Sequence, residues 1–208
     1  MDYLERLNWR YATKRMTGKK IDSEQLERIL EAIRLSASSL GLQPYQILVI
    51  EDQKTRDEIY PHAYKQAQLK EASHILVFAF YRKMDADYVE EYLENIAKTR
   101  GVTLESLAGF RKSILGSLER TEEELQKWFS RQAYIALGTG LFAAALEGVD
   151  ATPMEGFVPE KVDEVLGLEG KNLRSVCMLA LGERDISKDS LASAKKVRQP
   201  KEKLFIRI

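Results

Sequence analysis

The sequence predicts an α+β fold in which one mixed central β-sheet is flanked by helices. Three observations lead there. Short, nearly continuous apolar runs of strand length occur at 45–50, 74–81 and 175–181. Longer stretches with apolar residues at helical spacing separate them. No internal repeat is visible. At 208 residues the chain can bury a sizeable core as one domain, or as one domain with an inserted helical subdomain.

Taken in order, Asp22-Ser23 is an N-cap candidate for a helix that places Leu26, Ile29, Leu30 and Ile33 on one buried face. That helix stops near Ser36, and a loop ending at Gln43-Pro44 leads into the first strand, Tyr45 to Ile50. The second strand is His74 to Tyr81 and the third Ser175 to Leu181; runs so continuously apolar predict central strands covered on both faces. Between them, residues 85–100 set Tyr88, Val89, Tyr92, Leu93 and Ile96 on one helical face, with Gly101 as a stop. A second helical segment spans about 103–118. Thr121 and Glu124 then form a capping box before an apolar helix from Trp128 to about Leu146, closed by Gly148. Gly138, Gly140 and several alanines in that helix permit close approach of another backbone, in the core or at a subunit interface. A further helix begins at Pro159. The chain ends on Leu204 to Ile208, strand-like and apolar, which requires a partner surface.

Composition removes several functions. Lys plus Arg equals Asp plus Glu, so the formal net charge is zero, which disfavours a general nucleic-acid binder. No apolar run approaches the roughly 20 residues of a membrane span. The stretch Met1-Asp2-Tyr3-Leu4-Glu5 has no basic segment followed by an apolar one, and the single cysteine, Cys177, sits in an apolar run. A cytoplasmic, reducing compartment is therefore expected. Two histidines, His62 and His74, without a Cys or carboxylate array at ligand spacing, predict no metal site. His74 reads as a structural hydrogen-bonding residue. Neither a Gly-x-Gly-x-x-Gly nor a P-loop sequence occurs.

Four stretches remain that suit one phosphorylated, electron-accepting ligand. They are Arg10-Tyr11-Ala12-Thr13-Lys14, Ser38-Ser39 with Gln43-Pro44, Pro153-Met154-Glu155-Gly156-Phe157, and Lys196-Val197-Arg198. Each alone has a plain reading as surface charge, serine-rich loop, turn or solubilising tail. Lys196 and Arg198 alternate around Val197, so an extended segment sends both to one side. Gly156 after a carboxylate, in a loop following a buried helix, lets consecutive N–H groups address one ligand edge. In this order, and at these distances from the two ends, the stretches resemble the FMN-dependent nitroreductase family over nearly the whole chain.

The resemblance implies a single nitroreductase-like domain over 1–208, with a helical insert or lid at about 85–120. It also implies a C-terminal arm from about 191 to 208, exchanged between the subunits of a homodimer, where it joins the partner's sheet. FMN is the implied cofactor and NADH or NADPH the reductant. Arg10, within the cofactor-binding stretch that includes Tyr11 and Ala12, reaches the phosphate or ribityl chain, and Lys196 and Arg198 hold the phosphate. Lys14 lies near the N1–O2 edge, and Pro153 and Met154 line the ring. The amides around Glu155 and Gly156 face N5 and O4, so Lys14, Glu155 and Gly156 form the catalytic set. Ala37, Ser38 and Ser39 approach from the other subunit. Ala12 stands where relatives commonly have serine. Lys65 replaces a common asparagine and Gln68 a lysine found in some relatives, at positions that contact flavin or nicotinamide.

The implied reaction is a two-stroke one: nicotinamide delivers hydride to the flavin, leaves, and a nitroaromatic, quinone or similar small-molecule acceptor takes the electrons. Tyr88, Tyr92 and Phe110 are candidates to shape the acceptor pocket. Reductive dehalogenation, flavin fragmentation and non-catalytic flavin binding remain open as alternatives on the same fold.

Overall fold

The longer helices in this chain start at short polar side chains or stop at glycines in several places, as the computed structural model, which describes residues 2–208, shows. Met1, at the head of the N-terminal stretch read above, lies outside the described residues. A helix that periodicity did not reveal, α1 (Tyr3–Trp9), starts with a capping box between Asp2 and Glu5. Asp22 accepts from the Glu24 and Gln25 amides and opens α2 (Ser23–Arg34), whose Leu26, Ile29 and Ile33 are buried. β1 (Tyr45–Ile50) follows, then α3 (Gln53–Ile59), the single-turn α4 (Gln68–Glu71) and β2 (His74–Tyr81). Asp85 caps α5 (Ala86–Arg100), which ends at Gly101 with φ 66°. After α6 (Ala108–Leu118), Thr121 and Glu124 form the expected capping box for α7 (Glu122–Glu147), which starts six residues before the Trp128 expected from its apolar face. Gly148, φ 71°, closes it. The remainder is β3 (Asp150–Met154), α8 (Pro159–Leu166), β4 (Leu173–Gly182) and a terminal turn, α9 (Lys201–Leu204).

The four strands form one sheet in the order β1-β2-β4-β3, and every pairing is antiparallel. This corrects the expectation of a mixed sheet. An apolar run carries no record of strand direction; direction is fixed by the connections, which pattern alone leaves open. β3 itself escaped the sequence reading because Asp-Ala-Thr-Pro-Met has neither an apolar run nor an unbroken set of amide donors. Pro153 is tolerated there because β3 is an edge strand, paired only with β4. β1 is the other edge and is half-exposed, so the expectation of strands covered on both faces holds for β2 and β4 but not for β1.

Alternation along β2 divides the core. Leu76, Phe78 and Phe80 face α2 and α7 together with Cys177, Leu179 and Leu181 of β4. Ile75 and Val77 face the opposite layer with Met178, Ala180, Ile59 and Val162. α5 and α6 form a third cluster around Val89, Leu93, Ile96 and Ile114. Cys177 is free and buried, and His74 Nδ1 shares a 2.8 Å hydrogen bond with Ser73 Oγ, as its structural reading requires. Instead of extending as a strand from Leu204, the C-terminus takes one helical turn and leaves Leu204, Phe205, Ile206 and Ile208 exposed. Among the described residues, no helix is long and apolar enough to cross a membrane.

Candidate functional site

Residues from the two ends of the chain meet because the backbone leaving β4 runs back along the segment that follows α1. Met16 and Arg184 form an isolated antiparallel bridge. Thr17 N–H donates to Glu183 O and Asp185 N–H to Arg15 O, both at 2.9 Å. Arg184 Nε donates to Asp150 Oδ1 at 2.8 Å, and its guanidinium lies 4.3 Å from the Trp9 ring centre and 4.7 Å from that of Tyr11. A cation shared by two rings and a carboxylate fixes all four groups. Thr13 is buried, and its carbonyl accepts from Thr152 Oγ1 at 2.6 Å and Gln68 Nε2 at 3.0 Å. The N-terminal stretch is thereby tied to both β3 and α4.

Beside these ties lies a cavity of about 480 Å³, lined by Trp9, Arg10, Tyr11, Ala12, Lys14, Pro153, Leu191 and the arm from Ala194 to Arg198. Its size is ordinary for a small-molecule site. Its charge is not. Arg10, Lys14, Lys195, Lys196 and Arg198 line it, and among the described residues no carboxylate does. Lys196 Nζ donates to Leu7 O at 2.7 Å and to Arg10 O, which brings the arm against the N-terminal stretch. Burial, then the charge of Arg198, draws the Arg10 guanidinium below its usual value. Burial, then Arg10 and Arg198, does the same to Lys196. Arg10 Nε is buried with no hydrogen-bond partner among the described residues. Such crowding is relieved by an anion. By contrast, a cavity of about 390 Å³ between α8 and β4 is lined by four carboxylates, Glu160, Asp163, Glu164 and Glu169, against two cations, Arg82 and Arg174, which already pair with Glu169 and Glu160.

β3 carries the chain from this cavity to the predicted catalytic loop. Pro153 lines the cavity, whereas Met154, expected to line the ring, is buried in the core layer with Ile75 and Val77, and neither it nor Glu155 or Gly156 is among the lining residues. Glu155 Oε1 accepts from Tyr134 Oη of α7 at 2.6 Å. Burial, followed by that hydrogen bond, raises the Tyr134 pKa, so the phenol stays a donor. Gly156 does not have a positive φ; the need for glycine is one of space. A Cβ there would come within 3.1 Å of Gln66 Nε2 and 3.3 Å of Tyr64 Cδ2. Gln66 Nε2 in turn donates to Gly156 O at 2.7 Å. Tyr64 and Lys65, with φ of 50° and 53°, are consecutive non-glycine residues in the left-handed region, which costs about 1 kcal/mol or more each. That strained turn abuts Gly156.

The remaining predicted residues lie elsewhere. Ser38 Oγ accepts from Gln43 N–H at 2.9 Å, and Ser39 N–H donates to Gln132 Oε1 of α7 at 2.8 Å. Neither these serines nor Ala37, which is exposed, lines the cavity of this chain. Lys65 is exposed and also lies off the cavity, while Gln68 is buried with its amide committed to Thr13. Tyr88 Oη donates to Leu42 O and Tyr92 Oη to Leu40 O, at 3.0 and 2.9 Å, and Phe110 packs edge-on against Tyr92. These aromatic residues brace the loop after α2 and do not line the cation-rich cavity. Sequence reasoning missed Asp150, Arg184, Asp189, Tyr134 and Gln66, because each takes on meaning from partners on other elements, 21 to 178 positions away. Only the aromatic pair flanking Arg10 offered a signal.

The donor set fits FMN. An unpartnered buried guanidinium nitrogen, mutually repelling cations and no opposing carboxylate suit a phosphate dianion. Trp9, Pro153, Leu191 and Val197 supply apolar wall.

Comparison with known proteins agrees with this chemistry. The model of the Nitroreductase family matches residues 7–183. A Staphylococcus aureus (strain USA300) protein, provisionally named NAD(P)H nitroreductase, is 38% identical over 173 residues, covering 80% of this chain and 78% of its own. A provisionally named NAD(P)H:FMN oxidoreductase from Staphylococcus epidermidis superposes with a TM-score of 0.88 at 20% identity, covering 100% of this chain and 96% of that one. A provisionally named nitroreductase from Exiguobacterium sibiricum, crystallised in complex with FMN, gives 0.85 at 22% identity, with 100% and 98% covered. The last two establish likeness of fold.

Proposed function

The chain belongs to the nitroreductase family, and from that premise we propose that it is an FMN-dependent oxidoreductase passing electrons from NAD(P)H to nitroaromatics, quinones or related small acceptors. An NAD(P)H-dependent oxidoreductase activity comes with the family. The flavin reading is carried by one observation: cations from residues 10–14 and from residues 195–198 share a cavity that, among the described residues, no carboxylate lines.

In this reading Arg10, Lys196 and Arg198 hold the phosphate, their repulsion relieved by its charge. Tyr11 and Ala12 form the floor between them. Lys14 offers a fixed positive charge on the same wall, favouring a ligand that becomes more negative on reduction. Pro153 and Met154 support the apolar side, and Tyr134 holds the Glu155 carboxylate so that the 155–156 backbone keeps its place. Lys65, exposed in the turn whose Tyr64 packs against Gly156, is assigned to an incoming nicotinamide or acceptor, and Gln68 acts through Thr13. When bound, FMN would supply hydride acceptance from nicotinamide and its return to an acceptor in a second half-reaction. The chain's own task is to bind, orient and exclude water, which explains a site without a nucleophile or an acid–base pair.

We further read residues 1–208 as one domain whose α5–α6 hairpin is the insert and whose segment 191–208 is an arm. The exposed α7 residues Ile135, Phe142 and Leu146, with the bare Phe205, Ile206 and Ile208, support a homodimer. In it the arm covers the partner, and Ala37, Ser38 and Ser39 complete the partner's site. A reducing cytoplasm suits the NAD(P)H requirement and the unpaired Cys177.

The test is the absorption spectrum of purified protein and the identity of the released chromophore, followed by NADH and NADPH oxidation with menadione and nitrofurazone. Bound FMN with turnover supports the reading. A colourless protein overturns it, and bound FMN without turnover favours a binding protein.

A further inference from the structure

Asp189 is only 4% exposed, yet the reaction just described gives it no task. Its Oδ2 accepts from Lys14 N–H at 2.7 Å, from Tyr11 Oη at 2.9 Å and more loosely from Arg15 N–H at 3.4 Å. Its Oδ1 accepts from Leu191 N–H at 2.9 Å. Burial opposes its charge, but these donors outweigh burial and hold the carboxyl below its usual value. Three of the four donors belong to the stretch carrying Arg10 and Lys14. The fourth begins the arm that leads to Lys196 and Arg198. One carboxylate is therefore bonded to both cationic walls of the cavity without facing into it, since Asp189 is not among the lining residues.

We infer that Asp189 is a positioning residue that sets the spacing of the two cationic walls, and through it the preference of the site for a phosphorylated flavin over the same flavin without phosphate. The inference rests on the flavin reading above. The chemistry is demanding because every partner of this side chain is a donor. An amide in its place presents N–H to one of them in either orientation, so Asp189→Asn keeps the volume but sets donor against donor. The wall that loses its bond relaxes away from its neighbour. The phosphate contacts depend on both walls at once, whereas the ring contacts do not.

Flavin-stripped protein is titrated separately with FMN and with riboflavin, following flavin fluorescence. The wild type binds FMN more tightly by about 100-fold or more, as two or three charge-assisted hydrogen bonds imply. Asp189→Asn lowers that ratio about tenfold while the riboflavin affinity moves less than about threefold. Asp163→Asn is the control: Asp163 Oδ1 accepts from Ser175 N–H at 2.9 Å and Asp163 is not among the cavity's lining residues, so this variant alters a half-buried carboxylate clamp but keeps the ratio. A folded Asp189→Asn protein with the wild-type ratio overturns the inference, whatever its melting temperature. If Asp189→Asn fails to fold, Tyr11→Phe decides, because it removes a single donor; a drop of about threefold supports the inference and an unchanged ratio overturns it. A wild type that binds neither flavin, or both equally, sinks the flavin reading itself and this inference with it, and that result needs no variant.

Discussion

Gly156 is held to its size by Gln66, and a methyl group there must displace the amide that donates to its own carbonyl. Gly156→Ala is therefore expected to slow flavin reduction by NAD(P)H about tenfold or more through misplacement of the loop, with little change in FMN content; stopped-flow absorbance of the reductive half-reaction measures this. Lys196 yields a pH prediction. Its folded pKa is drawn below the usual lysine value, through burial first and then its neighbouring cations. A cation needed for binding is lost as pH rises through its pKa, so FMN affinity should begin to fall at a lower pH than an ordinary lysine would give. Binding an anion raises that pKa, so complex formation takes up protons on the alkaline side. Lys196→Arg should move the alkaline limb upward, and FMN titrations between neutral and alkaline pH read the shift. The cations were legible in the sequence because charge is a property of the residue itself. Asp189, Tyr134 and Gln66 were not, because a hydrogen-bonding role exists only once the chain has brought a partner to it.

At the scale of elements, local chemistry was the better guide. The caps at Asp22, Thr121, Gly101 and Gly148 act within a few residues of themselves, so the bounds of α2, α5 and the end of α7 could be read directly. β3 could not, since its place depends on β4 offering a ladder to a segment of weak strand preference. Strand direction failed for the same reason. The local reading carries its own test: Thr121→Ala removes a capping box remote from the cavity. It should cost about 1 kcal/mol and lower the melting temperature by about 2–4 °C, with flavin content unchanged; a thermal melt followed by circular dichroism checks both. The loop after α2, braced by Tyr88 and Tyr92, was legible as a loop but not as an object that α5 holds in shape.

The whole molecule presents two apolar surfaces that one copy leaves bare, the outer face of α7 and the terminal segment. If the chain pairs as we propose, Phe205→Asp with Ile206→Asp should lower the mass from dimer to monomer and, because Ala37 to Ser39 serve the other copy in that reading, lower flavin retention together with it; light scattering coupled to size exclusion reports the mass. The claim beneath all of this is that positive charges from the two chain ends converge on one phosphate. The most direct measurement is the molar ratio of FMN to protein after identical purification of the wild type and the Lys196→Ala, Arg198→Ala double variant. We expect close to one flavin per chain in the wild type and a nearly colourless, folded variant that regains colour only with excess FMN. A double variant that keeps a full complement of FMN would contradict the account.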